Sequence, residues 1–272
     1  MALNLHCIGD SHCCFFLGYD RISQEYPAVE KSLLSRVYTY RLGASLAYNL
    51  NKYGTTSRGR EMMEQILSGL DPQSDVLLLS FGEVDCRAHL LKQAQKQGIS
   101  HEQVVDDCLN NYMQAIREIR KRGFRVLIWN AVHSANFLEK GNFEFPYFGT
   151  VQDRNTITRI FNAGLKKRAA HEGYTFIDIS DHLIDESTLL TRDEFYHDAI
   201  HLNRKLFLQT MRMINERTGV NMFSYTDLAT YKVRFALHSA FKSMKHGFAS
   251  IKKKLRSALK LAIVLPMTTL KS

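Results

Sequence analysis

Three polar residues, far apart in this chain, are of the types and spacings that could do chemistry together. Ser11 lies in HCIGDSHCCFFLG, residues 6–18, between Asp10 and His12 where a short apolar run ends. Asp198 and His201 lie in FYHDAIHLNRKLF, three positions apart and just ahead of an amphipathic stretch. A serine hydroxyl is a weak nucleophile until a general base takes its proton and a third group orients that base. One turn of chain at the Asp-x-x-His spacing can bring the carboxylate to the Nδ1 side of the imidazole, leaving Nε2 to face Ser11. Each piece alone has a plainer reading. Gly-Asp-Ser is frequent in turns, where Asp and Ser bond their own backbone, and Asp-x-x-His before a helix can be a cap region.

The elements that must position these residues are short apolar runs alternating with helical patterns. Leu3–Ile8, Asp75–Phe81, Phe124–Ala131 and Tyr174–Ile179 read as strands, entered through turn signals such as Asp71-Pro72 and Glu172-Gly173. His101–Arg122, Val151–His171 and Leu202–Glu216 carry apolar residues at helical spacing. Strands apolar throughout, each followed by a helix, imply a parallel sheet covered on both faces. Ligands of such sheets bind beyond the carboxyl ends of the strands. The residues that follow the strands are therefore the informative ones: Gly9-Asp10-Ser11-His12, then Gly82-Glu83-Val84-Asp85-Cys86-Arg87, then His133-Ser134-Ala135-Asn136. Asp178, at the end of its strand, either bounds this crevice or caps the next segment.

In order and spacing these blocks resemble the SGNH/GDSL hydrolase superfamily over roughly residues 3 to 217. The resemblance rests on GDS after the first strand, a mid-chain glycine, a Gly-x-Asn-Asp-like block after a later strand, and Asp-x-x-His before the last helix. It implies a flavodoxin-like three-layer α/β/α sandwich with a parallel sheet, performing serine-based acyl transfer, usually ester hydrolysis and often removal of acetyl groups from glycans. By position Ser11 then resembles the nucleophile, His201 the base and Asp198 its orienting acid. Gly43, in YRLGASLAYNL, resembles the second-block glycine whose amide joins that of Ser11 at the oxyanion, although a glycine in a helical pattern can equally serve packing. The third block departs from the pattern, because Val84 stands where an oxyanion-donating asparagine is expected. Loss of one such donor costs about 10²–10³ in rate where a hydrolase relies on it. Arg87 could supply a guanidinium there, and His133 or Asn136 could reach in from the neighbouring strand end. The string GDSH…GEVDCR…HLN is similar to an SGNH-like branch of bacterial surface-polysaccharide loci. That likeness makes Glu83, Asp85 and Arg87 a polar unit of their own. Asp10 and His12, on either side of Ser11, are further candidate substrate contacts; His12 directly follows the nucleophile and either points into the site or packs on a Tyr or Phe. An Arg beside two carboxylates can equally be a buried structural network. The acceptor in such chemistry is water for an esterase, or a sugar hydroxyl for an O-acyltransferase with acetyl-CoA as donor. A non-catalytic glycan-binding or assembly module is the other class.

Charge and composition narrow the partners. The chain has 272 residues with 36 Lys and Arg against 27 Asp and Glu, a net charge of +9. Ten of the basic residues and no acid lie from residue 228 onward, so the preceding part holds 26 basic against 27 acidic residues. The excess belongs to the tail, and nothing in the main body offers a nucleic-acid footprint. The five cysteines include the adjacent Cys13 and Cys14 but no Cys-x-x-Cys spacing. Reduced thiols in a cytosolic protein fit this better than disulfides or a metal, and no cofactor is called for beyond a possible acyl donor. No Gly-rich phosphate loop is present, so nucleotide-dependent chemistry has no support. The N-terminal residues carry neither the basic nor the apolar region of a secretory signal. Residues 1–220 read as the hydrolase-like domain and 221–272 as a basic amphipathic helical tail. Within 231–265, Leu237, Phe241, Met244, Phe248, Ile251, Leu255 and Leu259 form an apolar stripe with lysines largely elsewhere. Such a helix suits the headgroup layer of an anionic membrane, here the inner face, or a partner protein, or simple packing with solvated lysines.

Overall fold

The structure is a computed structural model that describes residues 3–136 and 146–241. The expected continuous apolar strands are present, each within one or two residues of its reading. They are β1 (Asn4–Gly9), β4 (Asp75–Ser80), β5 (Arg125–Trp129) and β6 (Thr175–Ile177). Two further strands, β2 (Glu30–Lys31) and β3 (Val37–Arg41), join them in a six-stranded sheet of order β2-β3-β1-β4-β5-β6. All neighbours run parallel except β2, which pairs antiparallel with β3 at the edge, so the sheet is mixed rather than wholly parallel. A two-residue hairpin of β7 (Ile184–Asp185) and β8 (Leu190–Thr191) lies apart from it.

Helices cover both faces, giving the three layers. α1 (Gly59–Ser68), α2 (Leu90–Gln97), α3 (His101–Lys121) and α4 (Val151–Glu172) share one core with Ile8, Leu77, Leu79, Val126 and Ile128 of the strands. Trp129, next along β5 from Ile128, points the opposite way, as period-two alternation requires. It meets Phe15 and Phe16 at ring separations of 5.5 and 5.0 Å, and Phe15 in turn meets Phe207 at 6.0 Å. Phe207 opens α6 (Phe207–Thr218), which packs on β6; α5 (Ser180–Leu183) is a single turn. Complete burial of side chains of this size contributes about 1.5–3 kcal/mol each. The helices start where their sequences direct. Ser100 accepts from the Gln103 amide at the start of α3, and Thr150 and Asp153 form a reciprocal capping box at the start of α4.

The chain leaves β1 for β3 on one side and returns to β4 on the other. The crevice beyond the carboxyl end of β1 is therefore the topological switch point of the sheet. Here the backbone is crowded: a Cβ added at Gly9 would stand 2.0 Å from Ser80 O on β4. Gly9→Ala must push these strands apart at the root of the Ser11 turn. It is expected to lower stability by about 1–3 kcal/mol, read as a lower urea midpoint at unchanged m-value. An unaltered midpoint would show that β1 and β4 separate freely there.

The chain divides into two compact units, Met1–Leu228 and Ala229–Ser272, rather than at the expected 220/221 boundary. The extra residues belong to the first unit because Asn215 of α6 bonds both the amide and the carbonyl of Phe223, and Met222 and Phe223 are buried. In the second unit residues 229–241 are helical and Val233, Leu237 and Phe241 are exposed. The expected stripe from Met244 to Leu259 lies outside the described residues. Among the described residues no helix is long and apolar enough to cross a membrane.

Candidate active site

The turn after β1 is built by its own side chains. Asp10 is fully buried, its amide donates to Ser80 O at 3.1 Å, and its carboxylate accepts from the His12 amide at 2.9 Å. This bond caps the short 3₁₀ helix Ser11–Leu17 and presents Ser11 at its first position, half-buried at the crevice. Burial pushes the Asp10 carboxyl up to about 7, with the nearby Glu83 and Asp85 carboxylates adding to the effect.

The loop before α6 is shaped with equal economy. Asp198 Oδ1 accepts from the amides of Ile200 and His201 at 3.0 and 2.7 Å, while Tyr196 and Leu202 form an antiparallel bridge across the loop. Asn203 donates to the carbonyls of Glu194 and Tyr196. Arg204 then ties the loop to the Ser11 segment, donating to Asp20 from both its amide and its guanidinium. The outcome is a continuous relay. Ser11 Oγ lies 2.8 Å from His201 Nε2, and His201 Nδ1 lies 2.8 and 3.0 Å from the two oxygens of Asp198.

The electrostatics set the protonation states. Burial pushes the His201 imidazole below its ordinary value; the Asp198 bond opposes this and the neighbouring His12 reinforces it. His201 is thus neutral at pH 7, as a proton acceptor must be. Burial pushes the Asp198 carboxyl up, but hydrogen bonds from His197 and His201 outweigh it and hold the group well below the usual carboxylate range. His197 was not singled out in the sequence. Its Nε2 lies 3.2 Å from Asp198 Oδ2 while Nδ1 contacts Leu202 O at 3.1 Å, so two histidines share one carboxylate. An adjacent His-Asp pair carries no periodic signal, and only the bend of the loop brings the two together.

The third block holds a separate charged cluster. Arg87 Nε donates to Glu83 Oε1 at 2.6 Å, His12 Nε2 stands 3.1 Å from Glu83 Oε2, and all three residues are buried. The His12 ring lies 5.2 Å from that of His201, which has His197 on its other side at 5.8 Å. Burial opposes charge on Glu83, but Arg87 and His12 overcome it and hold the carboxyl at about 2.

Several expected contacts are placed elsewhere. Arg87 is committed to Glu83 and to the Pro146 carbonyl, so it is not the guanidinium expected at Ser11. Asp85 holds backbone: its oxygens accept from the amides of Ala47 and Tyr48 at 2.8 and 3.1 Å, and it borders a cavity with Tyr48 and His89 that Ser11 does not line. Asn136 bonds the Thr191 backbone and Asp193, fixing the segment after β8. His133 lines a different cavity, with Arg159, Lys166 and Asp178, where burial lowers it to about 4. Gly43 lies just past β3, not in a helix, with φ of +63°, and faces Glu25 in a cavity apart from that of Ser11. Val84 is buried and offers no donor. Of the strand-end residues, Asp10, Ser11, His12 and Glu83 are the ones the fold gathers around His201.

The strand–turn–serine unit thus stands at the switch point of a three-layer α/β domain. The chain belongs to the GDSL-like lipase/acylhydrolase family, whose model matches residues 7–206. Membership supports a hydrolase of ester substrates. The chain is also similar to solved bacterial structures. One is a protein from Bacteroides fragilis described as a putative acylhydrolase, at 14% identity and TM-score 0.47, covering 85% of this chain and 88% of that one. Another is a GDSL-like lipase from Bacteroides thetaiotaomicron, at 12% identity and TM-score 0.46, covering 79% and 86%. A third is phospholipase A1 from Streptomyces albidoflavus, at 14% identity and TM-score 0.39, covering 67% and 81%. No curated protein matches the chain.

Proposed function

We propose that the protein is a serine-dependent hydrolase that removes a short acyl group, such as acetyl, from a glycan or related small ester, in a surface-polysaccharide context. The observation that carries this reading is the unbroken relay from Ser11 Oγ through His201 to Asp198. Ser11 Oγ attacks the acyl carbonyl carbon as its proton passes to His201 Nε2, and the carbonyl π pair moves onto oxygen. Collapse of that oxyanion expels the alcohol, which takes the proton from His201. Water, giving its proton to the same imidazole, then attacks the acyl-serine; collapse of this second oxyanion breaks the bond to Ser11 Oγ, which takes the proton back from His201 as the acid leaves.

Two further features support the substrate class. The cavity lined by Ser11, His12, Phe15 and His201 has a volume of about 10 Å³, room for about one water molecule and far short of what a fatty chain needs. A separate cavity of about 440 Å³ is lined by Tyr48, Asn49, His89, Gln93 and Gln97. Amides with an aromatic ring are suited to hydrogen-bonding and stacking on a sugar. The test is incubation with an acetylated glycan, with and without acetyl-CoA, beside fluorophosphonate labelling of Ser11. Acetate release with labelling that requires His201 is expected. Acetylation of a sugar at the expense of acetyl-CoA would replace hydrolysis by transfer. A protein that takes no label and binds glycan would be the non-catalytic module that Val84, as a lost donor, favours.

A further inference from the structure

Val84 leaves the site without the side-chain donor that a developing oxyanion calls for, and the other side chains expected there, Arg87, Asn136 and His133, are spent on protein acceptors or lie in another cavity. His12 is different. It lines the same small cavity as Ser11, one residue along the 3₁₀ turn, with its ring against that of His201. Its Nε2 lies at ion-pair distance from Glu83 Oε2, 3.1 Å, whereas its Nδ1 is buried and, among the described residues, has neither a hydrogen-bond nor an ion-pair partner. We infer that His12 is the side-chain oxyanion donor of this site, donating through Nδ1–H as an imidazolium pinned by Glu83. The inference rests on the serine-hydrolase reading above and deepens it.

The physical argument is one of differential binding. A buried charged donor without an acceptor has lost its hydration with nothing in exchange. That cost is relieved when a negative oxygen forms beside it, so the interaction is stronger in the transition state than before it, which is the condition for catalysis. The charge on His12 has identifiable sources. Glu83 faces it from the block after β4, Asp10 adjoins it on its own turn, Arg87 opposes through Glu83, and His201 faces it from the loop before α6. Burial works against the charge, but the carboxylates prevail and the imidazole titrates above its ordinary value. The Ser11 base titrates below that value. One histidine can therefore be neutral and its neighbour charged at the same pH, the division of labour the reaction needs.

The test is the pH dependence of kcat and KM for p-nitrophenyl acetate in the wild-type protein, His12→Gln, Glu83→Gln and Ser11→Ala. In the wild type, activity rises as His201 loses its proton and falls again as His12 loses its own. Glutamine at position 12 keeps the size and a neutral donor but not the charge. It is expected to lower kcat about 10²–10³-fold at nearly constant KM and to abolish the alkaline fall. Glu83→Gln removes the opposing charge and is expected to move the alkaline fall roughly 1–3 units toward acid. A structural role for either residue would lower stability without moving that limb. If His12→Gln keeps kcat within about threefold while Ser11→Ala is inactive, the donor assignment is overturned and the serine mechanism stands. Absence of hydrolysis in the wild type, or hydrolysis surviving Ser11→Ala, overturns both.

Discussion

Ser11→Ala is expected to abolish ester hydrolysis, and adding His201→Ala to it is expected to remove nothing further. The two groups act as one unit, since the imidazole has no proton to take once the hydroxyl is gone, and the hydroxyl cannot attack once the imidazole is gone. In a serine protease built on the same logic either loss costs about 10⁶ in kcat, as much as removing the whole triad. A similar collapse is expected here, with a remnant that reflects binding and oxyanion contacts alone. Asp198→Ala is expected to cost less, about 10⁴, because the loop that carries His201 keeps its other ties: the Tyr196–Leu202 bridge, the Asn203 bonds and the Arg204–Asp20 clamp. Ser11 is half-buried and its side chain bonds His201, so its loss leaves the core untouched. Circular dichroism and the thermal midpoint of Ser11→Ala should match the wild type while p-nitrophenol release vanishes. Losses in Ser11→Ala and His201→Ala that multiply in the double variant would show two independent groups and end the relay.

The parts of this site that were legible in the sequence are those encoded by residue type and local order. Ser11, Asp198 and His201 could be paired before any fold was known, because few other chemistries use those types after a strand and before a helix. Strands β1, β4 and β5 were legible because burial on both faces leaves an unbroken apolar run. β3 was not, because Val37-Tyr-Thr-Tyr-Arg41 mixes polar and aromatic residues near the sheet edge, and Gly43 just beyond it was drawn into a helical pattern. Asp85 and Asn136 were misplaced for a deeper reason. Both are polar residues at strand ends, where a site is expected. Their partners, however, are backbone groups of the turn at Ala47–Tyr48 and the strand at Thr191, which no local pattern announces. The sandwich of His201 between His12 and His197 has the same character. It depends on how two distant loops meet, and sequence spacing has no access to that.

Glu83→Ala is expected to be the most destabilising single change in the site, because it strips the shared partner from two buried basic side chains. Arg87 and His12 both lie against this one carboxylate, and the exposed fraction of each is about 4%. Removing one partner of a buried ion pair costs about 3–5 kcal/mol, whereas exchanging the whole group for apolar residues can be neutral. For a domain of this size the thermal midpoint should fall by roughly 6–20 °C. Glu83→Gln, which keeps an acceptor for Arg87, should recover part of the loss. The pH dependence follows from the carboxyl being held at about 2 in the folded protein, below its ordinary value near 4.3. Its contribution is fully present above that ordinary value and is lost as pH falls toward 2. The stability gap between wild type and Glu83→Ala should accordingly be widest above about pH 5 and close on acidification; a gap that persists undiminished at pH 2 would rule out the charge as its source. A cluster that an apolar substitute could replace at little cost to stability has reason to persist if one of its members is needed as a cation, and His12, at the edge of the Ser11 cavity, is the member so placed.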